Sequence, residues 1–149
     1  MLINRNLIAL NMEAKDKNEA LRELIGLVKK ENKIASEEKF LDCVLHREKE
    51  FSTGVGNGIA IPHGRSETVN EALVAFAKLN NRIDWNSVDD ELVDLIFLLG
   101  VPDKNTENLH LKILAQLSRK LMDEEFVKVL REARTEQEVF DALSDIEVG

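Results

Sequence analysis

The sequence predicts an α/β sandwich with a mixed central sheet, and three observations carry that expectation. Apolar residues recur at helical spacing in five segments. Between them lie shorter runs that are apolar nearly throughout, as strands covered on both faces are. The two kinds of segment are interleaved along the chain rather than grouped, which is the order of an α/β fold.

Leu7 to Met12 reads as a short strand. Asp16 or Asn18 then caps a helix on which Leu21, Leu24, Ile25 and Val28 share one face. A second helix starts near Ser36, with Glu37 and Glu38 in its first turn, where the helix dipole favours acids. Its apolar face is Phe40, Leu41, Val44 and Leu45. Ser52 to Gly58 holds three of the seven glycines and is expected to be a loop with unusual backbone angles. Ile59, Ala60 and Ile61 form a short buried strand, stopped by Pro62-His63-Gly64. Leu73 to Leu79 and Val93 to Val101 are further strands, the second of them central, and Arg82 to Trp85 is an irregular turn or short edge piece. Three amphipathic helices close the chain, near Glu107 to Met122, Glu124 to Ala133 and Glu136 to Leu143.

Composition removes several functional classes. The 149 residues suit one domain, residues 1–149, with a single core and no linker or repeat. A net charge of −8 without any basic run argues against nucleic acid and against an anionic membrane surface as partners. The longest apolar run, Leu95 to Val101, is far shorter than the roughly 20 residues of a spanning helix. Charges at Arg5 and Glu13 and the lack of a signal-type apolar stretch point to a cytoplasmic protein. Cys43 is the one cysteine, so neither an internal disulfide nor a cysteine zinc site is expected; within its apolar helical face it reads as a small core residue. Trp85 reads as a packing anchor.

The candidate chemistry centres on histidine. The glycine loop follows a helix and leads into a strand, the reverse of the dinucleotide fingerprint, and no Gly-Lys-Ser/Thr is present, so no nucleotide is expected. His63 follows an apolar strand between Pro62, which restricts the backbone, and Gly64, which removes bulk. Strand C-termini in open α/β sheets are where ligands bind. His110 precedes Ile113, Leu114, Leu117 and Leu121 by three, four, seven and eleven residues, so it opens the buried stripe of its helix. If the strands ending at Ile61 and Val101 are parallel, His63 and His110 meet at one sheet edge; otherwise His110 is a core histidine bonded to a carbonyl. His46 falls opposite the apolar face of its helix and should be exposed. Arg47 flanks that face beside the glycine loop, within reach of the same edge. No carboxylate cluster stands at metal-ligand spacing, so no metal is expected.

Arg47-Glu48 followed by Ser52-Thr53-Gly54-Val55-Gly56-Asn57-Gly58-Ile59-Ala60-Ile61-Pro62-His63 resembles the active-site signature of the enzyme IIA domain of the phosphoenolpyruvate-dependent sugar phosphotransferase system. The likeness is to the fructose/mannitol type, which includes the nitrogen-regulatory relatives. His110-Leu111, with Leu114 and Leu117, resembles the second histidine segment, and Val93 to Pro102 the central strand. The resemblance spans nearly the whole chain and implies a three-layer α/β/α sandwich. It also implies a cytoplasmic phosphotransferase without a cofactor. His63 would accept a phosphoryl group from phospho-HPr as tele-phosphohistidine and pass it to a cysteine of an enzyme IIB domain. His110 would stabilise the phosphoryl group and Arg47 would supply charge. Ser52, Thr53 and Gly54 would lead the loop donors, and an apolar rim would receive HPr and IIB in turn. The alternative is a nitrogen-type regulatory module using the same His63 chemistry but acting through phosphorylation-dependent protein binding. A metal-dependent hydrolase is the remaining, weaker reading. Sugar identity, cognate IIB and IIC components and oligomeric state are not encoded legibly.

Overall fold

The computed structural model describes residues 2–104 and 108–146. A 3-10 turn at Arg5–Leu7 leads into strand β1 (Ile8–Met12), followed by helices α1 (Lys17–Lys30) and α2 (Glu37–Glu50). Asp16 caps α1 by accepting from the Glu19 amide, and Ser36 caps α2 by accepting from the Lys39 amide. Strands β2 (Gly54–Gly56), β3 (Ile59–Ala60), β4 (His63–Ser66), β5 (Leu73–Ile83) and β6 (Val93–Pro102) come next. Helices α3 (Leu109–Leu121), α4 (Glu124–Glu132) and α5 (Glu136–Leu143) close the chain. The third helix was expected from Glu107, a position outside the described residues; the helix begins at Leu109.

The six strands form one mixed sheet in the order β1-β5-β6-β3-β2, with β4 also paired to β6. β1 runs parallel to β5, β5 antiparallel to β6, and β3 and β4 parallel to β6. Side-chain alternation divides the core into two layers. On one face Leu73, Ala75, Ala77, Ile96 and Leu98 meet α1 and α2 through Leu21, Leu24, Phe40 and Val44. On the other, Val74, Phe76, Leu95, Phe97 and Leu99 meet α3, α4 and α5 through Ile113, Leu117, Leu130, Val139 and Leu143. This is the expected α/β/α sandwich, and β6, buried along nearly its whole length, is its central strand.

Three local expectations are corrected. The segment read as a glycine loop is half of a β-hairpin: β2 pairs antiparallel with β3. Its turn is Asn57-Gly58, both with positive φ (57° and 78°), a pairing suited to a tight hairpin turn. Pro62-His63-Gly64 does not stop the strand. Ile59 pairs with Leu95 and His63 with Leu99, so β3 and β4 follow β6 in one register, interrupted only at Ile61-Pro62. Pro lacks an amide to donate, which interrupts the ladder without diverting the chain. Finally, Arg82 and Ile83 belong to β5, because Ile83 pairs with Val93 and is itself buried.

The hairpin is secured from both sides. Arg131 of α4 bonds the Asn57 carbonyl and pairs with Asp94 at 3.0 Å. The 86–91 segment lies along the free edge of β2, where the Val88 amide donates to the Gly54 carbonyl and the Asn57 amide donates to Asp89. Gly54 is required by contact: a Cβ there would stand 2.2 Å from Ser87 Oγ and 3.0 Å from Ser87 Cα. Gly54→Ala is therefore expected to push this segment off the edge and destabilise the fold by about 1–3 kcal/mol. A urea-denaturation midpoint indistinguishable from wild type would show that Ser87 can retreat freely.

Candidate active site

His63 is held at both of its ring nitrogens. Its ring Nδ1 lies 2.9 Å from the Ile61 carbonyl oxygen, which can only accept, so Nδ1 carries the proton. Its Nε2 accepts from Arg47 Nε–H at 3.2 Å, so Nε2 carries the lone pair. Both contacts select one neutral tautomer, with the lone pair on Nε2. Burial depresses the His63 pKa from its ordinary 6.5; the Ile61 hydrogen bond opposes this, Arg47 lowers it further, and Glu48 raises it.

Arg47 projects from the last turn of α2 and is held a second time, its Nη1–H donating to the Phe51 carbonyl at 2.8 Å. The sequence placed Arg47 at this edge, and the structure puts it in direct contact with the imidazole. Gly64, opposite His63 in the strand alternation, faces α2; a Cβ there would meet Cys43, Phe40 and Val44 at 3.0–3.2 Å. The absence of a side chain lets α2 lie close enough for Arg47 to reach Nε2.

His110 sits in the first turn of α3, which starts beyond the C-terminal end of β6. β4, which begins at His63, runs parallel to β6, which leads toward α3, so the two histidines lie toward the same end of the sheet. Burial lowers the His110 pKa, followed by the charges of Arg65 and His63, which places all three groups in one electrostatic neighbourhood. Its Nδ1 is buried and has no hydrogen-bond partner among the described residues. Among the described residues no carbonyl satisfies this ring at Nδ1. His46 is exposed on α2, as its position predicts.

Ser52 and Thr53 are turned inward. Ser52 Oγ donates to the Trp85 carbonyl and accepts from the Gly54 amide at 3.0 Å. Thr53 is buried, its hydroxyl donating to Glu48 and accepting from Trp85 Nε1 at 3.1 Å. The two hydroxyls expected as ligand donors are thus occupied within the fold. Sequence reading missed the group that organises them. Glu48, its side chain 5% exposed, also takes the Thr53 amide, the Trp85 indole at 3.3 Å and Lys17 of α1 at 3.3 Å. Glu48 adjoins Arg47 in sequence, but its partners lie up to 37 positions away, beyond any local pattern. Trp85, wholly buried, is the expected packing anchor. Cys43 is half-buried rather than part of the core, its thiol donating to the Arg65 carbonyl at 3.3 Å, and burial raises its pKa. Among the described residues no three His, Cys, Asp or Glu side chains converge as metal ligands, and no helix is long and apolar enough to cross a membrane.

The mixed-sheet sandwich thus presents an oriented neutral histidine, an arginine on its unprotonated nitrogen and a second imidazole toward one end of the sheet. The family model for the phosphoenolpyruvate-dependent sugar phosphotransferase system, EIIA 2, matches residues 1–146, and the chain belongs to that family of phosphotransfer components. It is 38% identical over 140 residues to the fructose-specific EIIA component of Haloferax volcanii, covering 94% of this chain and 90% of that protein. It is 33% identical to the fructose-specific EIIABC component of Bacillus subtilis over 96% of this chain, but spans only 22% of that longer protein. The crystal structure of nitrogen regulatory protein IIA-Ntr from Neisseria meningitidis superposes with a TM-score of 0.87, at 33% identity, over 94% of each chain.

The depressed pKa values carry a definite sign. The unfolded histidines take up protons first as pH falls through 6.5, so stability present at neutral pH is lost as pH drops from there toward the folded values. Ring 15N shifts should show His63 half-protonated below pH 6.5, with the Nδ1–H tautomer above that point. Arg47→Ala should raise the midpoint by removing a neighbouring cation. A wild-type midpoint above 6.5, or the opposite tautomer, would contradict the assignment.

Proposed function

We propose that this protein is a phosphocarrier of the sugar phosphotransferase system, accepting a phosphoryl group from phospho-HPr on His63 and passing it to a cysteine of an enzyme IIB domain during fructose/mannitol-type sugar uptake. The observation that supports this most is the doubly constrained imidazole: Ile61 holds the proton on Nδ1 and leaves Nε2 free to attack. In the first transfer, the Nε2–phosphorus bond forms as the donor's nitrogen–phosphorus bond breaks and its electron pair returns to the donor ring. In the second, a cysteine thiolate forms a sulfur–phosphorus bond and Nε2 recovers its lone pair. Neither step requires a net proton change at His63, so the Ile61 hydrogen bond persists through the cycle. We read residues 1–149 as one unit for this purpose, acting in the cytoplasm.

Phosphoryl transfer needs positioning and charge neutralisation more than bond-making groups. Arg47 Nε–H occupies the lone pair at rest and must leave it as phosphorus arrives; a phosphoryl oxygen becomes its new acceptor. His110 supplies a second donor, its buried Nδ1 being unsatisfied until an acceptor is brought to it. Ser52, Thr53 and Gly54 act in this reading as the scaffold of the hairpin, the Thr53 amide being taken by Glu48 and the Gly54 amide by Ser52. An IIB acceptor accords with the Bacillus subtilis relative, an EIIABC component. The regulatory reading rests on the likeness to IIA-Ntr, whose fold matches as closely as the chemistry allows both outputs.

Incubation with phosphoenolpyruvate, enzyme I and HPr should place an acid-labile, base-stable phosphoryl group on His63, and His63→Ala should accept none. Label persisting at His46 or His110 in that variant would refute the assignment. Arg47→Lys should slow transfer, since a point charge does not reproduce a planar fork of donors. Unaltered transfer would make Arg47 structural. His110→Gln should melt near the wild-type temperature yet transfer about 10²–10³ more slowly. A destabilised variant with normal exchange would place His110 in the core instead.

A further inference from the structure

The continuation of the strand beyond Pro62 has a chemical consequence. Because β4 runs from His63 to Ser66, residues 63 and 65 stand on the same face of the sheet, with Gly64 between them turned toward α2. The second of these residues is Arg65, paired with Val101 near the C-terminal end of β6. Two residues along a strand is about 7 Å, a distance that an arginine side chain can span.

Resting contacts show where its guanidinium goes. Arg65 Nη2–H donates to the Asp103 carbonyl at 3.2 Å, and its Nε lies 3.6 Å from the Asp103 carboxylate. Both side chains are well exposed, 45% and 59%, so solvent weakens the pair and its exchange for another anion is inexpensive. Asp103 lies between β6 and α3, so Arg65 points along its strand toward the helix that carries His110. The charge of Arg65 bears on His110 more strongly than does that of His63.

Charge matching at His63 leaves room for such a group. A phosphoryl group carries about −1.5 to −2 at neutral pH. Glu48 and Lys17 pair with one another beneath the hairpin, leaving Arg47 as the cation in contact with the imidazole. Arg47 is also tied to the Phe51 carbonyl and approaches from the α2 side. Toward His110, Arg65 is the cation whose charge acts on that ring.

We propose that Arg65 is a second phosphoryl-contacting cation of the site, exchanging its resting tie to Asp103 for an oxygen of phospho-His63 and closing the group between two guanidiniums with His110 alongside. The inference rests on the phosphocarrier reading above. Asp103 then acts as a tether, keeping the guanidinium near the site while the imidazole is empty.

The test is a 31P titration of the phosphorylated protein, run beside the rate of transfer to its acceptor. Wild type, Arg65→Gln and Arg65→Lys are compared after phosphorylation by phosphoenolpyruvate, enzyme I and HPr. Mass spectrometry first locates the label, and melting curves establish that each variant is folded. Removing a cation from the dianion should raise the pH at which the phosphoryl group takes up its proton in Arg65→Gln and slow transfer about 10²-fold. Arg65→Lys should restore the midpoint largely and the rate partly. An unchanged midpoint in Arg65→Gln overturns the proposal, whether or not the rate falls, because a slower rate alone would place Arg65 in partner docking. Wild type that takes no label on His63 would overturn the phosphocarrier reading itself. Should Arg65→Gln fail to fold, the neutral Arg65→Met carries the same test: an unchanged midpoint there overturns the proposal.

Discussion

The hydrogen bond from His63 Nδ1 to the Ile61 carbonyl is the constraint on which the rest of the site depends. A neutral imidazole in water exchanges freely between two tautomers and presents either nitrogen. Here a backbone oxygen two residues upstream removes that choice, and Arg47 meets the nitrogen left open. The bond forms on the side of the strand away from β6, where the Ile61 amide donates to Thr53, while the Pro62 carbonyl still accepts from Leu99 of β6. A strand that ended at Pro62 would leave the histidine backbone without a partner. Proline supplies the interruption, and β6 supplies the continuity.

Arg47 depends on a different part of the molecule. Its helix lies against the bare backbone of Gly64, and the end of that helix is anchored by Glu48 to α1, to Thr53 and to Trp85. A carboxylate this enclosed is tolerable because each oxygen has donors, including a lysine and an indole N–H. The same residues that fix the hairpin therefore also fix the arginine. The inward turn of Ser52 and Thr53 follows: their hydroxyls complete the network beneath the site and are not displayed above it.

Most of the architecture was legible because period and burial agree. The apolar stripes of α1 and α2 and the near-continuous apolar run of β6 lie where the pattern put them, and Ser36 caps its helix as expected. The juxtaposition of His63 and His110 was conditional on parallel strands, and the sheet satisfies that condition. What escaped detection depends on contacts between distant segments. Three glycines in seven residues look like a loop, yet Asn57-Gly58 is a hairpin turn and its strands pair. Pro62 looks like a terminator, and with the strand ended there Arg65 has no defined face. Glu48 looks like one more surface acid on a helix of alternating charge; its burial follows from Trp85, which arrives from the far end of β5. Local propensity cannot register an environment assembled by tertiary packing.

Under the proposed function, backbone geometry selects Nε2 of His63 as the phosphorylated atom. Ring-labelled protein, phosphorylated and observed by 15N NMR, reports it directly through the one-bond coupling between nitrogen and phosphorus. The account expects that coupling on Nε2 of His63, with Nδ1 still protonated and protected from exchange by the Ile61 carbonyl. Coupling on Nδ1, or on a ring other than His63, would contradict it.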